Sequence, residues 1–327
     1  QLMQVYDEYD AIFILNDVWN INKYLSALKK TAIHAALPKI VIYFPVDAEL
    51  HNPTWYLNFD IVTHAVTYTQ YAKGVICKAA PQLRKKIKII PHGIDADTFY
   101  TSPTPKNKIR EYLYGSKALN NKFIFFSANR NTPRKKLDIT IRAFAEFVKA
   151  MKVDDAYLHL HCGMMDYGIH VPTVIKQFGI DNRIIVTNNE AMMQNIPSDM
   201  LNLYYNATDV GVTSSLGEGW GLCSVEHAVT GAPQIVPNHS ACAELFRGRG
   251  ALVDTSGDIM LDECYTLGKL PDYKHMAGCM AAYYSLSRNR NDYSYGFNDG
   301  AKAHHYFTQP KFNWTVIASQ WDELFGK

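Results

Sequence analysis

Residues Asp209–Ala232 read DVGVTSSLGEGWGLCSVEHAVTGA, and the order of residue types along them dictates strand, glycine loop, helix. Asp209–Thr213 is a short apolar run of the kind buried in a sheet, and Leu222–Thr230 has helical composition with Gly231 as its stop. Gly217, Gly219 and Gly221 strip the loop of side chains, so its backbone can approach a ligand closely. The unpaired N–H groups that open the helix, from about Trp220 to Cys223, make an anion site. Glu218 lies in the loop and Glu226 on the helix, with seven residues between them. One turn plus the loop allows both carboxylates to face one ligand.

The same alternation extends in both directions. Upstream, Ala11–Leu15, Ile40–Phe44, Ile61–Val66 and Ile87–Ile90 read as strands, with helices over Asn20–Lys30 and Gln70–Ala80. A polar, proline-containing stretch, TFYTSPTPKNK, follows and reads as a connection between domains. The pattern then restarts with strands at Phe123–Ala128, Tyr157–His161, Arg183–Thr187, Asp209–Thr213, Gln234–Val236 and Ala251–Val253. Helices at Leu137–Met151, Pro172–Phe178, Asp199–Asn206, Leu222–Thr230 and Ala241–Phe246 separate them. Continuous apolar runs indicate strands buried on both faces, hence parallel sheets covered by helices. The expected fold class is α/β, two Rossmann-like domains facing across a cleft, divided at residues 1–98, 99–308 and a tail, 309–327. Ligands of such sheets sit beyond the carboxyl ends of the strands, so chemistry belongs in the loops that follow them.

Composition removes several other classes. With 47% hydrophobic and 20% charged residues the 327-residue chain is too apolar for disorder. Lys and Arg number 33 against 31 Asp and Glu, a net charge of +2 that gives no global field for nucleic acid. No run of about 18 uncharged apolar residues offers a membrane span, so membrane association is expected to be peripheral at most. The six cysteines have no paired CxxC spacing and read as reduced thiols in a cytoplasmic protein, neither a zinc site nor a disulfide frame. The chain opens abruptly at Gln1, close to a strand and without a charged-then-apolar leader.

A second stretch, FFSANRNTPRKKLDITIRAF at Phe125–Phe144, places four cations in seven residues beyond a strand end: Arg130, Arg134, Lys135 and Lys136. Such a loop neutralises a diphosphate, Arg by bidentate contact and Lys as a point charge, or is simply solvated. A nicotinamide fingerprint would need an acid near the end of the next strand to hold a ribose, and Val236-Pro237-Asn238-His239 has none before Glu244.

Taken in order, IIPHGID (Ile89–Asp95), NRNTPRKKLD (Asn129–Asp138) and GEGWGLCSVEHAVTGAP (Gly217–Pro233) resemble the retaining glycosyltransferases of family 4, with their two-domain GT-B fold. The resemblance runs from Tyr9 to about Phe246. It implies that Arg130 and Lys135 bind a donor diphosphate, that Glu218 contacts the transferred sugar, and that Glu226 holds the ribose hydroxyls. The backbone of Gly219, Trp220, Gly221 and Leu222 would bind phosphate and sugar. Lys136 stands where Gly is usual, which leaves the choice between the two lysines open. Asp47, in Phe44-Pro45-Val46-Asp47, occupies the place of a catalytic-site His in many relatives and either reaches the sugar or caps a turn.

Asn16-Asp17 either borders the cleft or caps a helix, and His92 is expected to be structural. The Arg84-Lys85-Lys86 run with Lys88 is a solvated face or an attractor of anions. The aromatic tail (Phe312, Trp314, Trp321, Phe325) is expected to return to the first domain. The family's opening strand and glycine-rich loop, which would precede Gln1, are expected to be missing. The implied activity is retaining and metal-independent, with no cofactor. It would take a sugar from GDP-mannose, or next a UDP-sugar, to a glycan, glycoprotein or glycolipid. A nucleotide-sugar epimerase or hydrolase and a non-catalytic nucleotide-binding module are the other readings.

Overall fold

The computed structural model describes residues 9–31, 37–192, 195–261, 264–288 and 296–326; Gln1, where the reading of the chain's start falls, and Lys327 at the end of the tail lie outside these. Among the described residues the first domain holds four parallel strands, β1 (Ala11–Leu15), β2 (Lys39–Phe44), β3 (His64–Thr67) and β4 (Ile87–Ile89), in that spatial order. Helices α1 (Val18–Thr31) and α2 (Gln70–Ala79) connect them. Ile21, Leu25, Ile42, Phe44, Phe59 and Ile76 form the core beneath. The expected strand at Ile61–Val66 starts later, at His64. Phe59–Ile61 closes into a 3-10 turn instead, because Phe59 is buried and its carbonyl accepts both Lys86 Nζ at 2.6 Å and the Val62 amide at 3.3 Å.

The second domain is a six-stranded parallel sheet: β5 (Phe123–Ala128), β6 (Ala156–His161), β7 (Ile184–Val186), β8 (Val210–Val212), β9 (Gln234–Pro237) and β10 (Ala251–Val253). Their order is β10-β9-β8-β5-β6-β7, so the winding reverses between β5 and β8, where an open α/β sheet forms its ligand crevice. Helices α3 (Lys106–Tyr114), α4 (Leu137–Met151), α5 (Val171–Phe178), α6 (Ser198–Ala207), α7 (Leu222–Val229), α8 (Ser240–Phe246), α9 (Tyr273–Arg288) and α10 (Gly296–Phe307) follow in chain order, and α11 (Trp314–Phe325) ends it.

Helices α9 and α10 form where no helix was expected, and two further elements depart from the expected pattern. The polar connection contains the first turn of α3, and Arg110 on that helix is 2% exposed. Its guanidinium donates to the carbonyls of Leu119, Asn120, Lys122 and Ala207 and pairs with Asp209 at 2.8 Å, which ties the connection to the second domain. The second departure is an antiparallel hairpin of β11 (Thr255–Leu261) and β12 (Thr266–Pro271). It joins the domains: Leu267 exchanges both backbone hydrogen bonds with Glu49, each 2.9 Å, while the Lys269 amide donates to Leu216 O.

An apolar cluster spans the junction. Tyr43, Val66, Tyr68 and Ile90 of the first domain pack with Trp220, Val225, Phe246, Phe312 and Ile317. The tail takes part in it, since the Trp321 ring lies 4.9 Å from Tyr43 and 5.3 Å edge-on to Phe13, and the Ile94 amide donates to Phe312 O. Lys39 Nζ donates to Phe325 O at 3.1 Å, placing a cation at the negative end of α11. All six cysteines are free, with Cys77, Cys162 and Cys242 buried.

Candidate active site

The loops after β2, β5 and β8 meet between the domains. Thr213-Ser214-Ser215, at the end of β8, are buried and clamp the cationic loop: Ser214 Oγ bonds to the carbonyls of Lys135 and Lys136, at 3.1 and 2.6 Å, and Thr140 Oγ1 lies 2.7 Å away. Pro133–Lys135 forms a 3-10 turn that ends at Lys136, whose φ of 47° is left-handed. That conformation is the physical reason a Gly would be at home there, and it turns the Lys135 side chain inward while Lys136 pairs with Asp138 at 3.7 Å.

Lys135 Nζ contacts Glu218 Oε1, and Arg134 Nη1 stands 3.3 Å from Glu218 Oε2 and also donates to the Gly217 carbonyl. Arg134 Nε lies 3.5 Å from Asp47 Oδ2, across the domain boundary. Glu218 is 9% exposed at its side chain. Burial alone would raise its pKa; Lys135, Arg134 and hydrogen bonds from Lys135 and Ser215 outweigh that and hold the carboxyl down at about 2. Asp47 is shifted the other way. Burial raises it, Arg134 opposes, and the charge on Glu218 adds to the rise. Asp17 also lies within electrostatic reach of Arg134, while its carbonyl accepts the Asn20 and Ile21 amides that open α1. It therefore sits at the start of α1 and borders the cleft.

The approach of the two domains depends on glycine at Gly217 and at Gly219, where a Cβ would stand 2.7 Å from Pro45 Cβ. A Cβ on Gly217 would stand 1.8 Å from the Asp47 carbonyl oxygen. Gly221, at φ 88°, precedes α7, whose first amides have no side-chain cap. Leu222 is exposed and begins that helix, whereas the Trp220 side chain is buried against His92 and Phe312, so Trp220 and its neighbour Gly219 can offer a ligand only backbone. His92 sits among Tyr68, Tyr43, Trp220 and Trp314, with its pKa lowered to about 4 by burial, as a packed neutral ring.

Glu226, one helical stretch on, accepts a 2.9 Å hydrogen bond from the Tyr205 hydroxyl. Burial raises its pKa, and that hydrogen bond opposes the rise. Cys223 lies within electrostatic reach of Glu226, Lys135 and Glu218.

The structure thus brings Glu218, Lys135 and Asp47 together and places Arg130 outside their cluster. The Arg130 side chain is 58% exposed, 3.5 Å from Asp166 and 5.5 Å over the Tyr167 ring. The cation at the centre is Arg134, one of the four in the loop, and no periodicity marks which of them turns inward. Ser240 was also missed in the sequence; its Oγ accepts the Glu218 amide at 2.9 Å. Of the basic run, Lys86 is spent on the Phe59 carbonyl, and Arg84, Lys85 and Lys88 are exposed.

A cavity of about 780 Å³ opens at the opposite end of the second sheet, beside Lys106, Arg110, Asp209 and Arg288. Those four charges pair with one another or with Asp155. Among the described residues no set of three His, Cys, Asp or Glu side chains is placed to hold a metal ion, and no helix is long and apolar enough to cross a membrane.

Residues 120–265 match the family described as Glycosyl transferases group 1. Among solved structures the chain is similar to the Anabaena protein HepE in complex with UDP and glucose, at TM-score 0.74 and 18% identity over 99% of this chain and 80% of that one. It is similar to a glycosyltransferase from Rickettsia africae at TM-score 0.74 and 14% identity, over 100% and 80% of the two chains. It also resembles sucrose-phosphate synthase from Thermosynechococcus elongatus at TM-score 0.72 and 15% identity, over 99% and 78%. The overall architecture is the GT-B fold. No curated protein sequence matches the chain.

Proposed function

We propose, from the premise that residues 120–265 are a group 1 glycosyl transferase domain facing a second Rossmann-like domain, that the chain moves a sugar from a nucleoside-diphosphate sugar to a glycan, glycoprotein or glycolipid acceptor, with retention and without a metal. The observation that carries this reading is the convergence of Lys135, Arg134 and Glu218 with Asp47, directly before the uncapped amides of α7. Breaking a sugar–diphosphate bond develops negative charge on the leaving phosphate, and fixed donors near it stabilise that charge without reorganising.

Lys135 and the α7 amides are the fixed donors, and Arg130 adds its charge by turning from Asp166. Glu218, ionised at any working pH, accepts hydrogen bonds from hydroxyls of the transferred sugar. Asp47 meets the same sugar from the first domain, and Glu226 accepts from the ribose. Front-face attack, with the leaving phosphate taking the acceptor proton, needs no carboxylate nucleophile. GDP-mannose is the donor that the sequence resemblance favours, and the HepE complex with UDP and glucose sets a UDP-sugar beside it.

Calorimetric titration with GDP, UDP, ADP and NAD in EDTA tests the reading. Selective metal-free binding of GDP or UDP supports it and names the base, and Glu226→Ala then weakens that binding by about 1.5–3 kcal/mol, the worth of hydrogen bonds to a charged acceptor. Binding of NAD alone overturns it.

A further inference from the structure

The short helix α8 touches both sides of the cleft. At its start, Ser240 adopts φ 53°, a left-handed conformation that serine holds at a cost, and is 3% exposed. Its Oγ accepts the Glu218 amide at 2.9 Å, and the next amide, Ala241, donates to the Glu218 carbonyl at 3.2 Å. Both backbone groups of Glu218 are therefore held by the first turn of α8. Four residues on, and so on the same face of the helix, is Glu244. Its carboxylate crosses to the other domain and accepts the first two amides of α2, Gln70 N at 3.0 Å and Tyr71 N at 2.7 Å.

The remaining amides of that helix start are met from within its own domain. Thr69 Oγ1 accepts Ala72 N at 3.1 Å, and Thr69 O accepts Lys73 N. The α2 N-terminus is thus completed only when the domains meet. A carboxylate at that end also meets the positive pole of the helix dipole. The Tyr71 ring packs edge-on against His239, which immediately precedes Ser240.

We infer that Glu244 is a positioning residue, coupling closure of the two domains to the placement of Glu218 through α8. The inference rests on the transferase reading for the role of Glu218, and on the interdomain contact alone for closure. Opening the cleft strips Gln70 and Tyr71 of their acceptor and releases α8 from its anchor on the first domain. The loop that carries Glu218 then loses the support that fixes it relative to Asp47.

Three variants separate this from a merely structural role. Glu244→Gln keeps the shape and loses the charge and one acceptor oxygen. Gln70→Pro removes a donor from the other side of the same contact, at the first helical position, where proline is at home; Thr69 is already extended at φ −139° and ψ 161°, as the residue before a proline must be. Thr69→Ala weakens the same helix start without touching the contact between domains. Sugar release and transfer are followed as kcat and KM, and the radius of gyration is measured by small-angle scattering.

Glu244→Gln and Gln70→Pro are expected to lower kcat about tenfold, equal to about 1.4 kcal/mol in the barrier, with little change in donor KM and a larger radius. Thr69→Ala is expected to lower the urea midpoint and leave kcat and radius as they were. Unchanged kcat and radius in Glu244→Gln and Gln70→Pro overturn the inference, as does an equal loss of kcat in Thr69→Ala. A wild-type chain that binds no nucleotide and releases no sugar overturns the transferase reading instead, and closure is then decided by the radius of the unliganded variants.

Discussion

Lys135→Met, combined with Glu218→Gln, probes the electrostatic centre of the cleft. The Lys135 and Glu218 side chains are 16% and 9% exposed and in direct contact, so solvent screens them little. Two unit charges about 4 Å apart at an effective dielectric of about 20 attract by about 4 kcal/mol, and removing one member of a buried pair typically costs about 3–5 kcal/mol. Here the loss is smaller, because Arg134 stays 3.3 Å from the same carboxylate and still compensates it. Lys135→Met is therefore expected to cost about 2 kcal/mol, and Glu218→Gln, which leaves the ammonium facing an amide, a similar amount.

In the double variant neither charge remains to be stranded. It should be more stable than the sum of the single changes by about 2 kcal/mol, within the range for contacting residues. Urea titration followed by tryptophan fluorescence reports this as midpoint shifts at a shared slope, with Trp220 buried at the junction as an internal probe. Single-variant costs that add to within about 0.5 kcal/mol would refute the reasoning, since independent sites add that closely.

Further outcomes follow from other contacts. The folded pKa of Glu218 lies below its ordinary 4.5, so the unfolded state binds more protons in the window between them. Stability that is fully present above 4.5 should be lost as the pH falls toward about 2, and Glu218→Gln should flatten acid unfolding over that range; an unaltered profile would contradict the assignment. Gly217→Ala forces a Cβ against the Asp47 carbonyl and should lower sugar release by on the order of 10²-fold, whereas Gly74→Ala, whose Cβ meets nothing within 4 Å, should raise the stability read from the urea midpoint by about 0.5–1 kcal/mol. Lys136→Gly relieves a left-handed lysine, worth about 1–2 kcal/mol, against a smaller gain in unfolded-chain freedom; a net stabilisation of about 0.5 kcal/mol is expected, and a lower midpoint would show that the Asp138 pair matters more than the strain.

Much of this fold is legible in the chain because buried parallel strands need unbroken apolar runs. Ala11–Leu15, Phe123–Ala128 and Ala251–Val253 coincide with their sequence reading, as does the helix Leu137–Met151, whose apolar face is regular. The hairpin of β11 and β12 was hidden because its stability is not written in its own side chains. Gly257, Asp258, Gly268 and Lys269 break the alternation, and the hairpin is held by backbone bonds to Glu49 and Leu216 far away in sequence. Arg134 was obscured for a related reason. Which of four neighbouring cations turns inward is set by the 3-10 turn and by the Gly217 carbonyl, and neither has a periodic signature. Glu218 and Glu226 were picked out by the family resemblance of the glycine loop and its helix, but the grip of Ser240 on Glu218 is made by the fold alone.

The path of the last helix has a consequence for synthesis. The sheet face of the first domain that carries Tyr43 and Val66 is covered in part by α11, which follows every strand among the described residues. A ribosome adding roughly 5–20 residues per second will finish β4 on the order of ten seconds or more before Phe325 is made. During that interval an aromatic surface meant for the interior is open to solvent and to other nascent chains. Holdase chaperones that recognise such surfaces therefore have a defined window on this protein, and it closes when the tail folds back.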